Sequence, residues 1–119
     1  MAQQCVLVAE DELIIGVDLC DTVEEAGFEV DGPYDSASSA IDSLERRTPD
    51  LAILDIRLDD GEVFPLADRL IAANVPVIFH SGEVSPQEVS GRYPRAHALA
   101  KPCPPNQIIE TMREALAAA

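Results

Sequence analysis

Leu51-Ala52-Ile53-Leu54-Asp55 is an apolar run that ends in a carboxylate, introduced by the turn-like Thr48-Pro49-Asp50. A short continuous run of aliphatic residues suits a strand covered on both faces, as in a parallel sheet. Asp55 then stands where that strand leaves the sheet. In open α/β sheets the carboxyl ends of the strands form the ligand crevice, so a charge there is placed for chemistry as well as for loop capping. The other strands deliver polar groups to the same edge.

Composition limits the reading. The chain has 119 residues, 47% of them hydrophobic, enough for one domain with a real core, expected over 1–119. It holds no run of about eighteen apolar residues and no leader-like layout, so the expectation is a soluble, cytoplasmic protein with no membrane partner. Cys5, Cys20 and Cys103 are odd in number and lack metal-ligand spacing, so they read as small buried hydrophobes. With 22 acidic against 8 basic residues and a net charge of −14, no basic face for nucleic acid can be built. Such a field favours a bound cation.

Working outward, Cys5-Val6-Leu7-Val8-Ala9 reads as the first strand, followed at once by Glu10-Asp11-Glu12. Leu13 to Ala26 shows a helical period with Ile15, Leu19, Val23 and Ala26 on one stripe, closed by Gly27. Phe28 to Asp31 alternates like an edge strand that Gly32-Pro33 breaks, and Ser36 caps a helix reaching about Arg47. After Asp55, Asp59-Asp60-Gly61 is turn chemistry and Pro65 opens a helix carrying Leu66, Leu70 and Ile71. Val75 to Phe79 is the fourth strand, ending in His80-Ser81-Gly82. Gly91 and Pro94 leave at most a short or mobile fourth helix, about Pro86 to Ser90. Ala96 to Ala100 is the fifth strand, ending in Lys101-Pro102, and Pro104-Pro105 opens a fifth helix with Ile108, Ile109, Met112 and Leu116 inward. Five alternations of strand and helix predict an α/β three-layer sandwich on a parallel sheet, with Glu10/Asp11, Asp55, Ser81 and Lys101 along one edge.

The stretches VLVAEDE, LAILDIRL, VPVIFHSG and LAKP, in this order and spacing, resemble the receiver domain of two-component response regulators over essentially the whole chain. The resemblance implies a flavodoxin-like strand order 2-1-3-4-5 with five helices, phosphorylation on Asp55 and a bound Mg²⁺. Asp11 and Asp55 would ligate the ion, with the backbone carbonyl of Arg57, and Glu10 would act through water; hard oxygen donors are what Mg²⁺ takes. Ser81 corresponds to the switch hydroxyl, Gly82 leaves room beside it, Lys101 contacts a phosphoryl oxygen, and Pro102 follows a cis peptide. The donor implied is a sensor histidine kinase or phosphotransfer protein. Output runs through another protein, or the chain is a phosphate sink.

The sequence also departs from that family. Ala98 stands where a switch aromatic is common, and the loop after Asp55 lacks the usual Pro, with Val63 in place of a Gly. These departures and the FPLADRL segment look like an alphaproteobacterial single-domain subfamily whose fourth strand reads PFxFATGY, which VIFHSGE matches in part; its kinases are of the HWE or HisKA2 type. Arg57 and Glu83, each two beyond a site residue, are candidates for tuning hydrolysis. His80 reads as a satisfied core histidine and His97 as partly exposed, while Ile14 and Val17 offer a docking face or flanking core. Two other classes stay in view: a docking module that needs no phosphorylation, and a haloacid-dehalogenase-type phosphatase, against which Asp55-Ile56-Arg57 lacks the second Asp.

Overall fold

The computed structural model describes residues 3–82 and 86–118. The chain runs β1 (Cys5–Ala9), α1 (Leu13–Glu25), β2 (Glu29–Tyr34), α2 (Ala37–Leu44) and β3 (Leu51–Leu54). It continues through β4 (Arg57–Leu58), β5 (Gly61–Glu62), α3 (Phe64–Ala72), β6 (Val77–Ser81), α4 (Pro86–Arg92), β7 (His97–Ala100) and α5 (Pro105–Ala118).

Strands β2-β1-β3-β6-β7 form one sheet in that order, every pairing parallel, which is the expected flavodoxin-like order 2-1-3-4-5. The period of two along each strand sorts the core into two halves. Val6, Val8, Leu51, Ile53 and Ile78 face α1 and α5, meeting Leu19, Val23, Ile108 and Met112. Leu7, Ala9, Ala52, Leu54 and Phe79 face the other way, onto Ala40, Leu66, Leu70 and Tyr93. Leu51 to Leu54 are buried to within 1%, so the central strand is covered on both sides as its composition requires.

Three expectations need correction. Gly32-Pro33 does not end the second strand: β2 continues to Tyr34, with one extra residue where the register passes from Leu7↔Asp31 to Ala9↔Tyr34. An edge strand tolerates the missing donor of Pro33, and Gly32 at φ +131° supplies a backbone turn that a Cβ, 2.4 Å from the Val8 carbonyl oxygen, would block. The second helix stops at Leu44 rather than near Arg47. The loop after Asp55 is not a bare turn but a small antiparallel hairpin, with Arg57 opposite Glu62 and Leu58 opposite Gly61, closed by the Val63 amide donating to the Ile56 carbonyl at 2.9 Å. Val63 is thereby fully buried.

The short fourth helix forms, extending two residues past Ser90 so that Gly91 lies in its last turn. Tyr93, which has no part in the sequence-based expectations, follows it directly. That ring stacks on Phe64 at 5.8 Å and meets Phe79 at 5.4 Å, and its hydroxyl donates to Asp68 Oδ1 at 2.7 Å. Ala98, paired with Phe79, packs against the same cluster, so aromatic bulk absent from β7 is supplied by the residue that follows α4. Cys5 and Cys20 are buried and Cys103 half-buried, all three free thiols.

Candidate functional site

Parallel strands bring residues far apart in the chain to one edge. Glu10 directly follows β1, and its amide donates to the Tyr34 carbonyl at 2.8 Å; Asp55 follows β3, its amide donating to Ala9 at 2.9 Å. Ser81 ends β6 buried, and its carbonyl accepts the Lys101 amide at 3.1 Å, so Lys101 emerges beside it from β7. The Lys101-Pro102 bond is cis, as expected, and so is Gly32-Pro33.

The side chains converge. Lys101 Nζ lies 2.5 Å from Glu10 Oε1 and 3.0 Å from Asp55 Oδ2, an ammonium bridging two buried carboxyl groups. Asp11, exposed at the rim, completes a group of three: one carboxylate oxygen each from Glu10, Asp11 and Asp55, all within 4.8 Å of one another. This is an all-oxygen donor set of the kind a hard divalent cation takes, in a place where anions are otherwise crowded.

The electrostatics show that crowding. Burial, and then a hydrogen bond shared with Asp55, push the Glu10 carboxyl up to about 8. Burial acts on Asp55 in the same direction, but hydrogen bonds from Glu10, Lys101 and the Arg57 amide outweigh it and hold Asp55 below its ordinary value. Burial likewise opposes the charge of Lys101, and its two carboxyl partners more than restore it. In this geometry Asp55 is the more acidic of the two carboxyls, Glu10 the one that holds a proton more readily than usual, and Lys101 the cation between them.

The remaining candidates distribute unevenly. Gly82 is exposed, and a Cβ there would make only an ordinary 3.6 Å contact with the Lys101 Cβ. Arg57 is exposed on the hairpin immediately beyond Asp55, with its amide turned to the Asp55 carboxylate. Glu83 lies outside the described residues. His80 is buried as expected, 5% exposed, but neither ring nitrogen has a hydrogen-bond partner among the described residues, so it is not the satisfied core histidine its setting suggested. Burial, with Lys101 nearby, holds its imidazole below the ordinary range. His80 also lines a 430 Å³ groove between α1 and α5 with Lys101, Cys103 and Ile108. Ile14 also lines this groove, and on α1 Leu13, Ile14 and Val17 are 72%, 85% and 46% exposed, which makes Ile14 and Val17 surface rather than core. Among the described residues no helix is long and apolar enough to cross a membrane.

Sequence reasoning missed Asp60. Its carboxylate accepts the amides of Ala37 at 2.8 Å and Ser38 at 3.0 Å, the first two residues of α2. The Asp-Asp-Gly turn was visible; that its second acid reaches a helix 23 residues back was not, since no local pattern encodes it.

Comparison with known proteins agrees with this geometry. Residues 6–113 match the response regulator receiver domain family. Among curated proteins, the transcriptional regulatory protein PdtaR of Mycobacterium tuberculosis is 28% identical over 95 residues, covering 80% of this chain and 46% of that one. The chain thus spans about half the length of that relative. Among solved structures, a CheY-like response regulator receiver domain protein from Methanospirillum hungatei superposes with a TM-score of 0.87 at 23% identity, covering 98% of this chain and 96% of the other. The receiver domain of the PhyR response regulator from Erythrobacter litoralis gives 0.86 at 27% identity, covering 98% and 92%.

Proposed function

Given that the chain belongs to the response regulator receiver domain family, a family of signalling domains, we propose that it takes a phosphoryl group on Asp55 and passes the change to a protein partner. The observation that carries this reading is the Lys101 ammonium held against Asp55 at 3.0 Å within the three-carboxylate group.

Each role follows from the chemistry of the side chain. Asp55, kept ionised, attacks phosphorus; the bond from phosphorus to the donor's nitrogen breaks, the electron pair leaves with that imidazole, and an acyl phosphate forms on Asp55. Lys101 exchanges one of its carboxyl partners for a phosphoryl oxygen, a compact cation meeting developing negative charge. Glu10, Asp11, Asp55 and the Arg57 carbonyl would hold Mg²⁺, which when bound neutralises charge at the phosphoryl group. Ser81, at the end of β6, would turn its hydroxyl to the phosphoryl group, carrying the phosphorylation into a change of conformation. Arg57 and Glu83, each two residues beyond a site residue in the sequence, would set the lifetime of the acyl phosphate.

For the donor we propose a histidine kinase of the HWE or HisKA2 type, from the partial match at the fourth strand. The exposed Leu13, Ile14 and Val17 of α1, of which Ile14 also lines the groove, are the apolar contact we assign to it. The phosphorylated form is then read by a protein partner, or its phosphate is spent as a sink.

Incubation with Mg²⁺ and acetyl phosphate, followed by intact mass, tests the central step. One phosphoryl adduct is expected on wild type and none on Asp55→Asn. Full incorporation on the Asn variant, or none on wild type from either acetyl phosphate or phosphorylated kinases, would overturn it.

A further inference from the structure

We propose that Asp60 is a positioning residue for the phosphorylation pocket, anchoring to the amino end of α2 the hairpin that aims the Arg57 backbone at Asp55. The inference rests on the receiver reading above and adds to it a residue outside the expected site.

The hairpin β4–β5 begins two residues after Asp55, so its placement sets where the Arg57 amide and carbonyl lie. The amide already donates to the Asp55 carboxylate, and the carbonyl is the third oxygen proposed for Mg²⁺. A two-residue ladder is too short to fix its own orientation, since an isolated hairpin is marginal in water even at greater length. Leu58 and Val63 seat its base in the core, and its turn is held from outside.

Two ties are present at the turn. The Asp59 amide donates to the Asp35 carbonyl at 2.9 Å, and the Asp60 carboxylate accepts the amides of Ala37 and Ser38. The second tie is charge-assisted and falls on the positive end of a helix dipole. Helix α2 carries no acidic residue in its own first turn, so the anion that end favours comes from the phosphorylation loop. Ser36 caps the same helix locally, its side chain accepting the Ser39 amide at 3.2 Å. Two caps therefore serve one helix end, and only one of them is fastened to the pocket.

That difference makes the test. Asp60→Ala and Ser36→Ala each remove a cap from α2, and both should lower its thermal stability. Only Asp60→Ala should weaken Mg²⁺ binding by calorimetry, by about tenfold, the lower end of what outer-shell partners of metal ligands contribute. It should also speed hydrogen exchange at the Arg57 amide and slow labelling by acetyl phosphate. Asp60→Asn, which keeps one acceptor oxygen, should fall between. Mg²⁺ affinity in Asp60→Ala within about twofold of wild type, or an equal loss in Ser36→Ala, would show a helix cap and nothing more, overturning the inference. If wild type itself neither binds Mg²⁺ nor takes phosphate, the receiver reading fails and this inference falls with it, a result read before any variant is made.

Discussion

Replacing Glu10 by Gln should stabilise the divalent-free protein at neutral pH. Glu10 is 2% exposed, and burial with its neighbour Asp55 raises its carboxyl from the ordinary 4.5 to about 8. An acid whose affinity for protons is higher when folded contributes fully below about pH 4.5, where both states are protonated, and penalises folding progressively as pH climbs toward 8. At pH 7 roughly 2.5 pH units of that interval have been crossed, at about 1.4 kcal/mol each, which caps the gain at about 3–4 kcal/mol. Lys101 keeps Asp55 and can still bond the Gln carbonyl at the Oε1 position, but an amide N–H replaces the stronger carboxyl O–H bond to Asp55, so we expect about 1–2 kcal/mol. Urea unfolding from pH 4.5 to 8 in a chelator should show the two proteins converging on the acid side and Gln ahead on the basic side. Added Mg²⁺ should narrow the gap, since the carboxylate is the better partner for a cation. Equal stabilities across the whole range, or a Gln variant less stable at pH 7, would refute the assignment of Glu10 as the strained member of the cluster.

Gly32→Ala should cost about 2–4 kcal/mol or prevent folding, because its Cβ would fall 2.4 Å from the Val8 oxygen at a φ of +131°; a urea midpoint close to wild type would count against the bulge in β2. Tyr93→Phe removes the bond to Asp68 and should cost about 1 kcal/mol. In ultraviolet titration the same variant should lack the phenol that burial and Asp68 push up to about 12 in wild type. His80, with burial holding its imidazole down, takes its proton first in the unfolded state, so stability should fall as pH drops below about 6.5. His80→Leu should remove that acid-side loss, by at most about 1.4 kcal/mol per pH unit, and a pH dependence unchanged from wild type would sink the claim.

The sheet edge was legible because each strand announces its end by a change from apolar to polar residues: Ala9 to Glu10, Leu54 to Asp55, Ala100 to Lys101. Right-handed parallel winding then places those ends together without any knowledge of distances. What escaped was everything decided across space. Gly32-Pro33 reads locally as a stop, and only pairing with β1 shows a bulged strand that carries on. Tyr93 reads as one aromatic beside Pro94, and only the packing of Phe64 and Phe79 makes it a core residue. Asp60 reads as turn composition, yet its partners are amides of another helix. His80 shows the converse: burial followed from the strand pattern, while its lack of a partner among the described residues depends on what surrounds the ring.

The Lys101–Asp55 ion pair closes a loop of 46 residues, and Lys101 follows the edge strand β7. A growing chain still inside the ribosome at that point already displays Asp55 and the acids after β1, but not the ammonium that completes the pocket. On the proposed function, competence to be labelled arrives only with the closing strand. A chemical phosphodonor would then report whether that strand has joined the sheet.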